Sequence, residues 1–183
     1  VEVLRQGAAS TTNPLDAYQM AAFDRLSAVT QRHLPAIGLF TGVVNADIAA
    51  MLCAVGEGGS DGYDAIVGEA PDRAGWRAIL AEAASAGLVY PSGGTHYRIH
   101  PTLTPILRRR LTAAVGEQGV HNLERGFVDF LSELCGKLAD SVRRGDASAV
   151  GLLAFEESNL LRALRGAARV ADWGRVFPIA RVL

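Results

Sequence analysis

His96 and His100 lie four residues apart, a spacing that could indicate a pair of metal ligands. On a helix, this spacing brings two side chains together. Here the two histidines lie in or beside a predicted strand. There, the same offset places both side chains on one face but about 13 Å apart. We therefore expect no metal site at this pair.

Glu156 and Glu157, with Asn159 nearby, are the residues that general acid–base chemistry would use. Adjacent carboxylates on a helix point in different directions, and the sequence suggests no partner acid. We expect these side chains to form hydrogen bonds between helices or at a helix end instead of taking part in catalysis.

Arg108, Arg109 and Arg110 form the one run of three basic residues. Near the end of a helix, three arginines favour the helix dipole and solvent. Their other potential role is a phosphate contact, from a nucleic acid or a nucleotide. Both interpretations stay open.

The sequence contains no G-x-x-x-x-G-K-[ST] phosphate loop and no recognised catalytic constellation. We therefore expect no enzymatic activity and no cofactor in this chain itself. Cys53 and Cys135 are far apart among apolar neighbours, which predicts two buried thiols and no disulfide. No signal peptide is evident, and no apolar run reaches the roughly 20 residues of a membrane span. These features predict a cytoplasmic protein without a membrane partner.

The elements that would position these residues are mainly helical. A helix is expected from Pro14, a second from Asn45 or Ala46, and a third from Asp72 to Gly87. Two β-prone runs then flank Gly93-Gly94 and predict a hairpin. Helix, helix and hairpin is the order of a winged helix-turn-helix domain, with the hairpin as the wing and 72–87 as the recognition-type helix.

Beyond a further helix at about 102–114, Gly116 and Gly119 predict a boundary, after which long apolar stripes indicate antiparallel helices joined by tight turns. We expect a linker at 1–13, a winged-helix domain with a preceding helix at 14–115, and the start of a TPR-like helical repeat array at 116–183. Since the helical pattern is unfinished at Leu183, we interpret the chain as an excised fragment. The open end of the array predicts self-association through Val176, Phe177 and Ile179.

Four stretches of the chain, in their order along the sequence, resemble parts of the STAND class of signal-transducing ATPases. The NB-ARC type is the familiar branch of this class. Residues 97–101 (YRIHP) resemble the histidine motif that closes their winged-helix domain. Residues 34–42 (LPAIGLFTG) resemble the segment that opens that domain, and 76–89 (WRAILAEAASAGLV) its third helix. Residues 155–164 (FEESNLLRAL) are similar to the E-x-x-N-L-x-x-A-L pattern that opens the repeats in bacterial members.

The resemblance implies that His100 senses nucleotide, by reaching the β-phosphate of ADP bound to an NTPase domain upstream in the same protein. ADP or ATP would belong to that parent protein, and the repeats would receive a protein or ligand signal. Ile99 and Pro101 replace the methionine and aspartate of the fuller motif. From the residues alone, His100 could equally cap the following helix or fill a polar gap.

A winged-helix transcription regulator with a helical effector or dimerisation domain is the alternative function. The formal net charge of the chain is −1, and the segment 34–110 has seven acids against six arginines. The predicted recognition helix is also rich in alanine, whereas DNA readers carry more cationic and amide side chains there. The composition therefore favours the regulatory module over DNA binding.

Overall fold

The computed structural model describes residues 14–54 and 62–183, which form a mainly helical fold with a small three-stranded antiparallel sheet. The expected linker at 1–13 lies outside the described residues, as do residues 55–61. In chain order the elements are α1 (Pro14–Phe23), α2 (Ala28–His33), a 3-10 helix (Leu34–Leu39), β1 (Val43–Asn45), α3 (Ala46–Cys53), α4 (Tyr63–Ile66), α5 (Arg73–Ser85), β2 (Val89–Pro91), β3 (His96–Ile99), α6 (Leu103–Arg143), α7 (Ala147–Arg169) and α8 (Trp173–Ala180).

Side-chain caps fix the starts of several helices. The Asn45 side chain accepts hydrogen bonds from the backbone N–H groups of the first turn of α3, and Asp72 does the same for α5. Asp146 caps α7 in the same way. Because a cap satisfies backbone donors that have no partner within the helix, each cap sets where its helix begins. The predicted starts of α3 and α5 are confirmed.

The sheet joins the predicted hairpin to a strand that was not predicted. β2 and β3 pair in antiparallel register, with Tyr90 opposite Arg98. β1 pairs with the other edge of β3, which places Val44 opposite Tyr97 and gives the strand order β1-β3-β2. β1 has only three residues and runs directly into α3, so it carries too little periodicity to be detected in the sequence.

Gly116 interrupts α6 at the predicted boundary. Its φ of 72° and ψ of 170° are not helical, whereas the backbone on both sides is. Gly119, the second predicted boundary residue, lies within the resumed helix. The α6 helix is therefore two helical segments, 103–115 and 117–143, joined at a glycine-dependent kink.

One connected hydrophobic core includes residues from both sides of this kink. The 3-10 helix is buried throughout and packs against α6. Phe40, at its end, meets Phe127 of α6 edge to face, with ring centroids 5.2 Å apart. The second helical segment of α6 thus shares its core with the N-terminal elements, and the two expected domains are packed together.

Some apolar residues differ from their expected exposure. Val176 and Ile179 of α8 are buried, so they cannot form an open end face. Phe177 is 68% exposed and has Trp173 as its exposed neighbour.

Both cysteines are free and buried, as predicted. Among the described residues, no helix is both long and apolar enough to cross a membrane.

Candidate functional site

His100 lies between the end of β3 and the start of α6, and its ring is bonded to that helix start. The ring Nδ1 accepts a hydrogen bond from the backbone N–H of Thr102, at 3.3 Å. The Thr102 hydroxyl lies 2.7 Å from the same nitrogen. The backbone carbonyl of His100 also accepts from the N–H of Leu103, at 2.9 Å. The His100 ring is therefore held by Thr102, the residue immediately before α6, and no side chain caps the first turn of this helix within the described residues.

The neighbours of His100 determine which ring nitrogen carries the proton. The buried Gln19 amide donates to the Thr102 oxygen at 3.0 Å. Because Nδ1 accepts from the backbone N–H of Thr102, it must be unprotonated, and the Thr102 hydroxyl can donate to it as well. In neutral His100 the proton is consequently on Nε2. This N–H has no hydrogen-bond partner among residues 14–54 and 62–183, so it can donate to an added group.

The three arginines of the basic run point to different surroundings. Arg108 pairs with Glu124. Arg110 pairs with Asp24 at 2.6 Å and lies over the ring of Phe23. Arg109 is exposed and has no ion-pair partner within the described part of the chain. As a run they therefore form no common phosphate site, and Arg109 is the member whose charge is not neutralised.

The Glu156–Asn159 pair of α7 is completely buried. The Asn159 side-chain oxygen accepts from the backbone N–H of Thr41 at 2.6 Å, and its amide donates to the carbonyl of Val43 at 3.1 Å. The same amide donates to the Glu156 carboxylate at 2.7 Å. Asn159 therefore forms hydrogen bonds that join α7 to the segment around the start of β1, in line with the expected role in bonding between elements.

Burial dominates the electrostatics of Glu156. It raises the pKa of the carboxyl group, and the hydrogen bond from Asn159 offsets only part of this effect. One carboxylate oxygen accepts from Asn159, whereas the other, Oε1, has no hydrogen-bond partner in the described structure. A buried carboxylate with an unpartnered oxygen is costly, so the protonated form is favoured.

Further contacts extend this connection along one face of α7. The Phe155 ring stacks on His96 of β3 with centroids 4.4 Å apart. Arg162 donates to the backbone carbonyl of Gly38 at 3.3 Å. Positions 155, 159 and 162 follow helical spacing and therefore share a face. We call this set (Phe155, Glu156, Asn159 and Arg162, with their partners in 38–43 and β3) the α7 junction.

The outward face of α5 offers few groups that could read DNA. Arg77 pairs with Asp47 at 2.9 Å, and Arg73 is exposed near the start of the helix. Most other exposed positions on the helix are alanine. Glu82, near its other end, is held by Ser27 and Thr30. This face therefore presents little cationic or amide character.

A buried polar cluster lies inside the N-terminal part of the fold. The His33 ring meets the Tyr63 hydroxyl at 3.1 Å, and both side chains are 4% exposed. Burial raises the pKa of the Cys53 thiol to about 12 and lowers that of His33. A protonated, inaccessible thiol is a poor nucleophile, so this cluster contributes to packing.

The two sequence patterns with catalytic or metal-binding spacing are not assembled into such sites. His96 meets the Asn45 amide at 2.9 Å, whereas His100 faces Thr102. No cluster of three or more metal-ligating side chains occurs in the described ranges.

The sequence also has a G-x-S-x-G pattern at 58–62, the spacing of a nucleophile elbow, which sequence reasoning missed. Residues 58–61 lie outside the described part.

Comparison of the chain with protein-family models, with curated protein sequences and with solved structures finds no significant match.

Proposed function

We propose that this chain is a non-catalytic regulatory module of a STAND-type signalling ATPase. A winged helix would sense the nucleotide state of an NTPase domain elsewhere in the same protein. The helices after Gly116 would form the start of a TPR-like array that receives a protein or ligand signal. The proposal places the module in the cytoplasm, where its parent would bind ADP or ATP.

The element order supports the winged-helix part of this proposal. The element order β1, α3, α4, α5, β2, β3 and the strand order β1-β3-β2 are compatible with a three-stranded winged helix. Under this proposal α5 would be the recognition-type helix. The hairpin around Gly93 and Gly94 would be the wing.

His100 carries the nucleotide-sensing part of the proposal. Its Nδ1 is occupied by Thr102, which fixes the ring and leaves the Nε2–H as the remaining donor. A fixed imidazole donor at a helix start is suited to a phosphate oxygen. The contact with Thr102 and the proposed contact with phosphate are therefore compatible, since they use opposite nitrogens of one ring.

The α7 junction supports coupling between the two parts. Asn159 bonds to the backbone just before β1, and Phe155 stacks on β3, the strand that leads directly to His100. A movement of α7 would therefore displace the strand preceding His100. The array could bias the nucleotide state in this way, provided that it binds its signal differently in the two states.

The alternative, a DNA-binding transcription regulator, is less well supported by the surface of α5. Arg77 is paired with Asp47, and alanine occupies half of the exposed positions of the helix. Sequence-specific readers require donors and acceptors on this helix. We therefore rank DNA binding second.

The test is retention of ADP by the full-length protein with His100 replaced by Ala, Asn or Gln. Asn retains an acceptor near the position of Nδ1, whereas Gln retains a donor near that of Nε2. The proposal expects Ala and Asn to lose ADP about tenfold faster than wild type or more, with Gln retaining it better. Equal retention in all four proteins, or no ADP binding by wild type, would overturn it.

A further inference from the structure

A cleft between the two segments of α6, helix α7 and the end of the 3-10 helix contains a group of arginines. Its volume is about 350 Å³. Arg108, Arg162 and Arg169 line it, together with one acid, Glu124, and apolar groups that include Leu39 and Val128. Residues that are far apart in the sequence thus bring three guanidinium groups to one cavity.

The carboxylate in this cleft is shared. Arg108 and Arg162 both donate to the same oxygen of Glu124, Oε1. Arg169 is exposed and has no ion-pair partner among the described residues. Three positive charges therefore face one negative charge, which leaves two positive charges without a counterion among residues 14–54 and 62–183.

The surroundings make this imbalance costly. Only 26% of the Arg162 side chain is exposed. Burial lowers the pKa of Arg162, and the positive charge of Arg108 lowers it further, against an opposing effect of Glu124. An added anion would reduce this repulsion, and guanidinium groups bind phosphate oxygens with directed, charge-assisted hydrogen bonds.

We propose that the cleft between α6 and α7 binds the phosphate group of a small soluble ligand through Arg108, Arg162 and Arg169. A doubly charged phosphate would balance the two remaining positive charges. A second cavity of about 460 Å³ shares Glu124, Val128, Gly166 and Arg169 with the first. It gives the organic part of such a ligand room beside the phosphate.

This inference goes beyond the proposed function, because the probe binds the 183-residue chain itself and no NTPase domain or His100 is involved. It also changes which arginines are expected to contact a phosphate together with Arg108. Arg108 is a phosphate ligand in this proposal, but its partners are Arg162 and Arg169 of α7 and not its neighbours Arg109 and Arg110.

The experiment is titration of the 183-residue chain with inorganic phosphate and pyrophosphate, monitored by calorimetry at constant ionic strength set with chloride. Arg169→Gln removes a side chain that has no partner within the described residues, so the fold should be kept. We expect it to weaken phosphate binding about tenfold. Arg165→Gln is the matched control, since Arg165 is exposed on the same helix and does not line the cleft.

Glu124→Gln distinguishes a phosphate-binding site from an arginine cluster that only stabilises the fold. If the cleft holds phosphate, removal of the competing carboxylate strengthens phosphate binding severalfold, although the pairs with Arg108 and Arg162 are lost. A purely structural arginine cluster predicts no such gain. The proposal is overturned if phosphate binds no better than chloride, if Arg169→Gln behaves like Arg165→Gln, or if Glu124→Gln weakens binding.

Discussion

Asn159 of α7 accepts a hydrogen bond from the backbone N–H of Thr41, 118 positions earlier in the sequence, over 2.6 Å. This bond joins the C-terminal helices to the segment that enters β1. The other contacts of Asn159, to the Val43 carbonyl and the Glu156 carboxylate, use its amide group. One buried side chain thus connects the segment that enters the sheet to helix α7.

Replacing Asn159 with Ala should destabilise the fold. The change removes three hydrogen bonds and leaves the buried Glu156 carboxylate without its donor, so we expect a loss of about 2–4 kcal/mol in the free energy of unfolding. Urea denaturation measures this loss. Ser158→Ala, at the adjacent exposed position, should change stability by no more than about 0.5 kcal/mol. Similar losses in the free energy of unfolding for the two substitutions would show that the hydrogen bonds of Asn159 do not stabilise the fold.

Glu156 should make stability depend on pH in a defined direction. Its pKa is raised in the folded state, so the native protein holds this proton more tightly than the unfolded chain does. The contribution is therefore fully present below the unfolded pKa of about 4.3 and is lost as pH rises through the folded pKa. The slope is at most about 1.4 kcal/mol per pH unit.

Glu156→Gln should remove this contribution. The difference in unfolding free energy between wild type and Glu156→Gln is expected to shift in favour of Gln as pH rises through that window, and then to level off. Urea denaturation at a series of pH values measures it. The exposed neighbour provides the control as Glu157→Gln. A difference that does not vary with pH would contradict the raised pKa.

Gly116→Ala should destabilise the protein by about 1–3 kcal/mol, because its positive φ with an extended ψ is strained for any residue with a Cβ. Gly136→Ala provides the opposite control. Gly136 is helical and exposed, and an added Cβ would meet nothing within 4 Å. Alanine there should stabilise by about 0.5–1 kcal/mol. Thermal or urea unfolding measures the change in stability of each variant. A change of the same sign in both variants would contradict the kink at Gly116.

Self-association should depend on Trp173 and Phe177 of α8. They are 56% and 68% exposed and lie next to each other, whereas Val176 and Ile179 face the core. We expect light scattering to show an average mass that rises with concentration. The double substitution Trp173→Ser and Phe177→Ser should abolish this rise. A monodisperse monomer for wild type at high concentration would dismiss the prediction.

The helix starts and the hairpin could be predicted because their signals are local. Asn45, Asp72 and Asp146 cap helices through backbone groups two or three residues away. Gly93 and Gly94 both adopt the positive φ that a tight turn between two strands requires. The kink at Gly116 was also predictable, since it depends on the conformational freedom of a single residue.

The candidate sites were only partly predictable. The sequence singles out His100, but the assignment of its two nitrogens depends on Gln19 and Thr102. It singles out Arg108–Arg110 as a group, yet on a helix consecutive residues point in different directions, and each arginine contacts a different part of the fold. Arg162 and Arg169 carry no distinguishing local signal.

The sequence by itself determined where helices begin, where the hairpin turns and where α6 is interrupted, because each of these depends on interactions within a few residues. Only the tertiary structure decided that β1 is a strand, since its three residues take that form by pairing with β3. Tertiary packing likewise buried Val176 and Ile179 of α8 and left Phe177 exposed, and it brought Arg108, Arg162 and Arg169 to one cleft. These outcomes depend on which distant surfaces meet, and spacing along the chain does not specify that.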